Sequence, residues 1–181
     1  MIRPVYKFFF EKAGWKITGR FPYELKKYVM IVAPHTSNWD FIVGLAARSI
    51  LRIKTRYLGK KELFRFPFGF LFRYLGGYPV DRSKSGNMVE EVAKIFDRHD
   101  EFSICIAPEG TRSKAEKLKT GFYHIASRLN IPILMVGFDY PSREIRIHEP
   151  FLPSGNIEAD MPKIMEFFRS ITGKYPEKGI A

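Results

Sequence analysis

The chain has 181 residues, 45% of them hydrophobic, and its 30 Lys plus Arg against 19 Asp plus Glu give a formal net charge of +11. Such a chain is long enough for one domain with its own core, and the charge calls for an anionic partner: nucleic acid, an anionic membrane surface or a phosphorylated substrate. No stretch approaches 18 consecutive apolar residues, which excludes an encoded spanning helix, and the single cysteine, Cys105, excludes an intramolecular disulfide.

The basic residues are spread along the chain rather than gathered in a tail, which argues against a nucleic-acid arm. Aromatics make up 15% of the residues. A basic, aromatic chain suits a membrane interface, and it equally suits single-stranded nucleic acid, where bases stack on rings. The first 15 residues lack the apolar core and cleavage site of a signal peptide, and a lone cysteine fits a reducing compartment. The expected location is the cytoplasm, either dissolved or peripheral on the cytoplasmic membrane surface.

In chain order, residues 2–14 read as a short helix in which Tyr6, Phe8, Phe9 and Phe10 alternate with Arg3, Lys7 and Lys12. We expect residues 1–16 to lie on a membrane surface. Residues 28–33 form a continuous apolar run ending at Pro34, which reads as a buried strand. Ser37 or Asn38 then caps a helix running to about Arg52. A short strand is predicted over 55–58, an aromatic helix over 67–75 stopped by Gly76 and Gly77, and a strand over 78–80.

Met88, Val92, Ile95 and Phe96 have helical spacing within 87–98, and residues 102–107 read as a second buried strand ended by Pro108. Gly121–Leu129 is predicted helical, 133–140 is a third apolar strand, and Glu144–Ile147 is its hairpin partner. Met161, Ile164, Met165, Phe168 and Ile171 mark a last amphipathic helix. Strands alternating with helices predict a single α/β domain over 1–181, with a central, mostly parallel or mixed sheet flanked by helices. In such sheets ligands bind at the carboxyl ends of the strands.

Three segments that follow strands carry chemistry. His35 and Asp40 stand in PHTSNWD as an H-x4-D pair: a base on a turn, with a carboxylate about one helical turn on to orient it. Equally, His35 reads as a turn residue and Asp40 as a helix-terminal carboxylate. Residues 59–82 run from Lys60 and Lys61 through the aromatic helix and the glycine pair to Arg82. That arginine can grip a phosphate bidentately or simply pair with Asp81. In APEGTRS (107–113), Gly110 allows close backbone approach and Thr111 and Arg112 supply donors, while Glu109 can hold an arginine or accept a substrate hydroxyl. Lys119 adds a basic contact for an anionic head group. His99, His124 and His148 have no comparable partners, so no metal cluster and no cofactor are expected.

Together these blocks resemble the glycerolipid acyltransferases, the family of 1-acyl-glycerol-3-phosphate acyltransferase. The family's H-x4-D motif matches His35 and Asp40. Its lysine-to-arginine block resembles Lys60, Leu63, Phe64, Pro67, Gly69, Gly76 and Arg82. Its Glu-Gly-Thr-Arg-Ser block matches Glu109, Gly110, Thr111, Arg112 and Ser113, and its later strand resembles Ile131, Pro132 and Ile133. Pro34 stands where many members carry asparagine, and Met135 where many carry proline. The resemblance implies acyl transfer from a thioester of coenzyme A or acyl carrier protein to a lysophospholipid hydroxyl. It makes His35 the base and Asp40 its orienter, with Arg82, Glu109, Gly110, Thr111, Arg112 and Lys119 around the acceptor. The implied partners are the acyl donor, the lyso-lipid and an anionic membrane surface, and no nucleic acid. The alternatives left open are an O-acyltransferase acting on a phosphate-free amino-acid lipid, a hydrolase using the same pair on water, and a non-catalytic basic module for membrane or single-stranded nucleic acid.

Overall fold

A computed structural model describes residues 3–80, 88–110 and 117–180. Helix α1 (Arg3–Lys12) leads through strand β1 (Lys16–Thr18) to β2 (Lys27–Ala33), α2 (Trp39–Leu51) and β3 (Arg56–Lys60). A 3-10 turn (Lys61–Phe64), α3 (Gly69–Tyr74) and β4 (Gly77–Val80) follow. Then come α4 (Met88–Asp97), β5 (Phe102–Ile106), α5 (Gly121–Leu129), β6 (Ile133–Asp139), β7 (Glu144–Ile147) and α6 (Ile157–Arg169).

The seven strands form one sheet in the order β1-β7-β6-β2-β5-β3-β4. Among the pairs of described strands only the β6–β7 hairpin is antiparallel, and an isolated antiparallel bridge joins Ile133 to Phe151. The expected mixed, mostly parallel sheet is the one observed. Strand β1 is an addition to the expected elements. It is three residues long at the sheet edge, too short and too polar to leave a period in the sequence.

Strand β2 explains why its sequence shows no polar alternation: both its faces are covered. Tyr28, Met30 and Val32 pack with Phe10 of α1, Ala46 and Ala47 of α2, and Phe138. Val29, Ile31 and Ala33 pack on the other side with Val92 and Phe96 of α4, Phe122 and Ile125 of α5, and Ile164 and Phe168 of α6. Fully burying a side chain such as Ile31 contributes about 1.5–3 kcal/mol. Polar ties add register: the Tyr28 hydroxyl lies 2.7 Å from Thr55 Oγ1, and the Tyr123 hydroxyl donates to buried Asp160 at 2.8 Å.

One local expectation needs correction, and a second is narrowed from Ser37 or Asn38 to Ser37. Phe10, expected at a membrane interface, is 6% exposed and sits in the core, edged by half-buried Trp15. Phe8 and Phe9 remain on the surface. Successive helical residues point about 100° apart, so three consecutive phenylalanines cannot share one face. At the start of α2, Asn38 is the cap residue but makes no side-chain cap bond. Instead the Ser37 hydroxyl accepts from Trp39 N at 3.2 Å.

Helix α3 is held close to the preceding turn. Gly69 N donates to Arg65 O at 2.8 Å, and a Cβ on Gly69 would lie 2.0 Å from the Phe64 carbonyl oxygen. Gly69→Ala must therefore push α3 away from the turn. The expected loss of stability is about 1–3 kcal/mol, read as a lower urea midpoint. An unchanged midpoint would show that α3 lifts without cost.

Candidate active site

The carboxyl ends of the three central strands converge here, because β2 lies between β6 and β5 with neighbours about 4.8 Å apart. His35 follows β2, Glu109 follows β5 and Tyr140 follows β6. Asp40 lies in the first turn of α2, where the helix N-terminus favours a carboxylate.

Asp40 is 1% exposed, and its charge is balanced entirely by donors. Oδ2 accepts from His35 Nδ1 at 3.1 Å and from Ser37 N at 2.8 Å, while Oδ1 accepts from the Tyr140 hydroxyl at 2.6 Å. Burial opposes ionisation, but the bonds from His35, Tyr140 and Ser37 outweigh it and hold the carboxyl below its ordinary pKa. The ionised acceptor fixes the proton on Nδ1. The His35 Nε2 lone pair is then free to take a proton. Tyr140 is pushed in the opposite direction, upward, by burial and by Asp40, so its hydroxyl stays a donor.

Glu109 occupies an unforeseen place. It is 5% exposed, and both carboxylate oxygens lie 2.9 Å from the His35 backbone nitrogen, which donates to them. Among the described residues its partner is this N–H, and not an arginine. It ties the loop after β5 to the loop after β2. Burial pushes the carboxyl up to about 7, against the lowering influence of the His35 N–H. Gly110 has φ +67°, and the Lys119 side chain folds over it, so that a Cβ there would meet Nζ at 2.6 Å. Lys119 N also donates to Pro108 O at 2.8 Å. The structure thus brings His35, Asp40, Glu109, Gly110 and Lys119 to one end of the sheet. Arg82, Thr111 and Arg112 lie outside the described residues.

Two concavities open on the described surface. An apolar groove of about 440 Å³ is lined by Asn38, Trp39, Phe41 and Ile42, beginning three residues after His35. A cavity of about 410 Å³ beyond β3 is lined by Lys61, Phe64, Arg65, Arg73 and Pro79. The other histidines are engaged elsewhere. His99 stacks on Phe102, His124 lies edge-on to Tyr123, and His148 lies edge-on to Phe167. In the sequence Tyr140 reads only as the end of a strand. Its one usable signal is a hydroxyl at the carboxyl end of that strand, and its partner is 100 residues away.

A histidine held by a buried carboxylate with donors on both its oxygens, at the carboxyl end of an α/β sheet, is an arrangement that can serve general-base chemistry. The family model described as Acyltransferase matches residues 15–139, and the chain belongs to that family: it is an acyltransferase. No curated protein sequence matches it. Among solved structures, the chain is similar to the crystal structure of the 1-acyl-sn-glycerophosphate (LPA) acyltransferase PlsC from Thermotoga maritima. The TM-score is 0.64 at 20% identity, over 92% of this chain and 74% of that one. At that identity the likeness shows the shared fold.

The raised Glu109 has a consequence for stability. With its native pKa above the unfolded value, the native state binds more protons between about pH 4.5 and 7. The contribution is fully present below about 4.5 and is lost as pH rises through about 7. It amounts to on the order of 3 kcal/mol at most, because each tenfold change in proton affinity is worth about 1.4 kcal/mol. Relative to Glu109→Gln, the wild-type thermal midpoint should fall across that window and then level off. Midpoint curves that run parallel between about pH 4 and 8 would refute the buried titration.

Proposed function

We propose that the protein moves a fatty acyl group from acyl-CoA or acyl-ACP to the free hydroxyl of a lysophospholipid such as 1-acylglycerol-3-phosphate. The observation that carries this reading is the His35 Nδ1–Asp40 bond, made to a carboxylate whose other donors are also in place. Nε2 removes the acceptor's hydroxyl proton as the oxygen attacks the thioester carbonyl. The tetrahedral intermediate then collapses, the C–S bond breaks, and the imidazolium returns the proton to the leaving thiolate. No covalent acyl-enzyme is needed. The apolar groove along Trp39, Phe41 and Ile42 receives the acyl chain. The residues assigned to the acceptor's phosphate are Arg82, Thr111, Arg112 and Lys119, with Glu109 and Gly110 beside them in the chain.

His35→Ala should lower thiol release from palmitoyl-CoA, with lysophosphatidate present, by roughly 10²–10⁴-fold or more. A folded variant that keeps over half the activity would exclude His35 as base. A panel with phosphate-free hydroxylated amino-acid lipids separates acceptor classes, and release of free fatty acid without an acceptor marks a hydrolase.

The lipid substrates live in a bilayer, and among the described residues no helix is long and apolar enough to cross one. We infer that the protein meets its substrates from the membrane surface, on the cytoplasmic side, through its exposed aromatic and basic residues. Phe66 is 98% exposed and Phe68, Phe70 and Leu71 are also exposed, with Arg65 and Arg73 among them. Phe8 and Phe9 with Lys7 and Lys12 form a second such patch. Apolar rings enter the interface while each cation near an anionic surface adds about 1 kcal/mol, screened by salt. Liposome flotation should require anionic lipid, weaken with salt and fall when Phe66 and Phe70 are replaced together by Ser. Equal recovery on neutral liposomes would sink this attachment.

A further inference from the structure

We propose that Tyr140 is a positioning residue of the reaction, whose hydroxyl fixes the Asp40 carboxylate in the orientation that holds His35. The proposal rests on the reading of His35 as general base. Tyr140 lies one residue beyond the region matched by the family model. Its position depends on contacts that the H-x4-D motif does not encode.

A carboxylate can rotate about its Cβ–Cγ bond, and with donors on one oxygen alone it is free to do so. Ser37 N and His35 Nδ1 both bond Oδ2, so among the described residues the Tyr140 hydroxyl, at 2.6 Å, is the one donor that holds Oδ1. Tyr140 itself is held in place. Its backbone N donates to Thr172 O at 2.9 Å, and Trp15 packs edge-on against its ring at 5.0 Å. The adjacent Asp139 accepts from Thr172 N at 2.9 Å and from Arg146 Nη2 at 2.9 Å, and it also accepts from the Ser142 hydroxyl. Among the described residues, the charged and titratable groups near the pair include Glu109 after β5, with Lys119 folded over the adjacent Gly110, Tyr140 after β6, and Tyr175, whose backbone N donates to Thr36 Oγ1 at 3.2 Å. Strand end, C-terminal segment and Trp15 together fix the hydroxyl opposite Oδ1.

Tyr140→Phe removes one oxygen and keeps the ring against Trp15, so the fold should survive. The expected result is a fall in kcat of about 10- to 100-fold with the acceptor KM unchanged. The acid limb of the pH–rate profile should move to higher pH, because a carboxylate relieved of one donor stabilises the imidazolium more strongly. Tyr140→Phe combined with Asp40→Asn should be no slower than Asp40→Asn alone. Unchanged kcat and pH profile in the single variant, or multiplicative losses in the double one, would overturn the proposal. A second readout does not depend on turnover. The Nδ1-bound proton of His35 should shift in the NMR spectrum of ¹⁵N-labelled Tyr140→Phe, and an unmoved signal overturns the proposal even if no acyl transfer is found. Absent transfer in the wild type with a moved signal would sink the proposed reaction and leave Tyr140's hold on Asp40 standing.

Discussion

A carboxylate taken out of water costs several kcal/mol unless its lone pairs are filled, and Asp40 is such a group. Its three donors come from the turn after β2, from the first residue after β6, and from His35 itself. Satisfying it requires β2 and β6 to be neighbours and parallel, so that both strands end at the same edge of the sheet. It also requires α2 to start within a turn of β2, which places the carboxylate at a helix N-terminus. His35 is then oriented by the group whose burial demanded those contacts.

Glu109 extends the same logic to the next strand. By accepting from the His35 backbone it ties the loop after β5 to the loop after β2, so His35 is anchored through its main chain as well as its side chain. Among the described residues Glu109 receives one backbone N–H, whereas Asp40 has three donors, so Glu109 is the less well compensated carboxylate. That difference explains why burial raises one and the hydrogen bonds lower the other. Two acids beside the same histidine are pushed apart by the number of donors each receives.

The aromatic surplus of the composition is divided by geometry. Helix α1 buries Phe10 and leaves Phe8 and Phe9 outside, while the turn before α3 and α3 itself leave Phe66, Phe68 and Phe70 outside. At the start of α3, Gly69 lies against the Phe64 carbonyl, where a Cβ would come within 2.0 Å of the oxygen. Composition alone predicts aromatics suited to an interface. Only packing separates the rings that complete a core from those that face outward.

The order and kind of nearly every element were legible in the amino-acid sequence, because they follow from local signals. The apolar run of β2 stops at a proline, Gly121–Leu129 has helical spacing, and Glu144–Ile147 follows β6 at hairpin distance. The sequence also marks His35 and Asp40, whose pairing spans only five residues and whose spacing is itself the signal. Folding settles what depends on distant parts of the chain: the edge strand β1, paired with β7 far downstream; the seat of Glu109 on a backbone N–H 74 residues away; and the reach of Tyr140 to Asp40 across 100 residues. A backbone donor carries no residue-type signature, and a hydroxyl at a strand end acquires its partner only when the sheet order is set. Local periodicity therefore encodes the elements and the reactive pair, while strand adjacency determines what holds that pair in place.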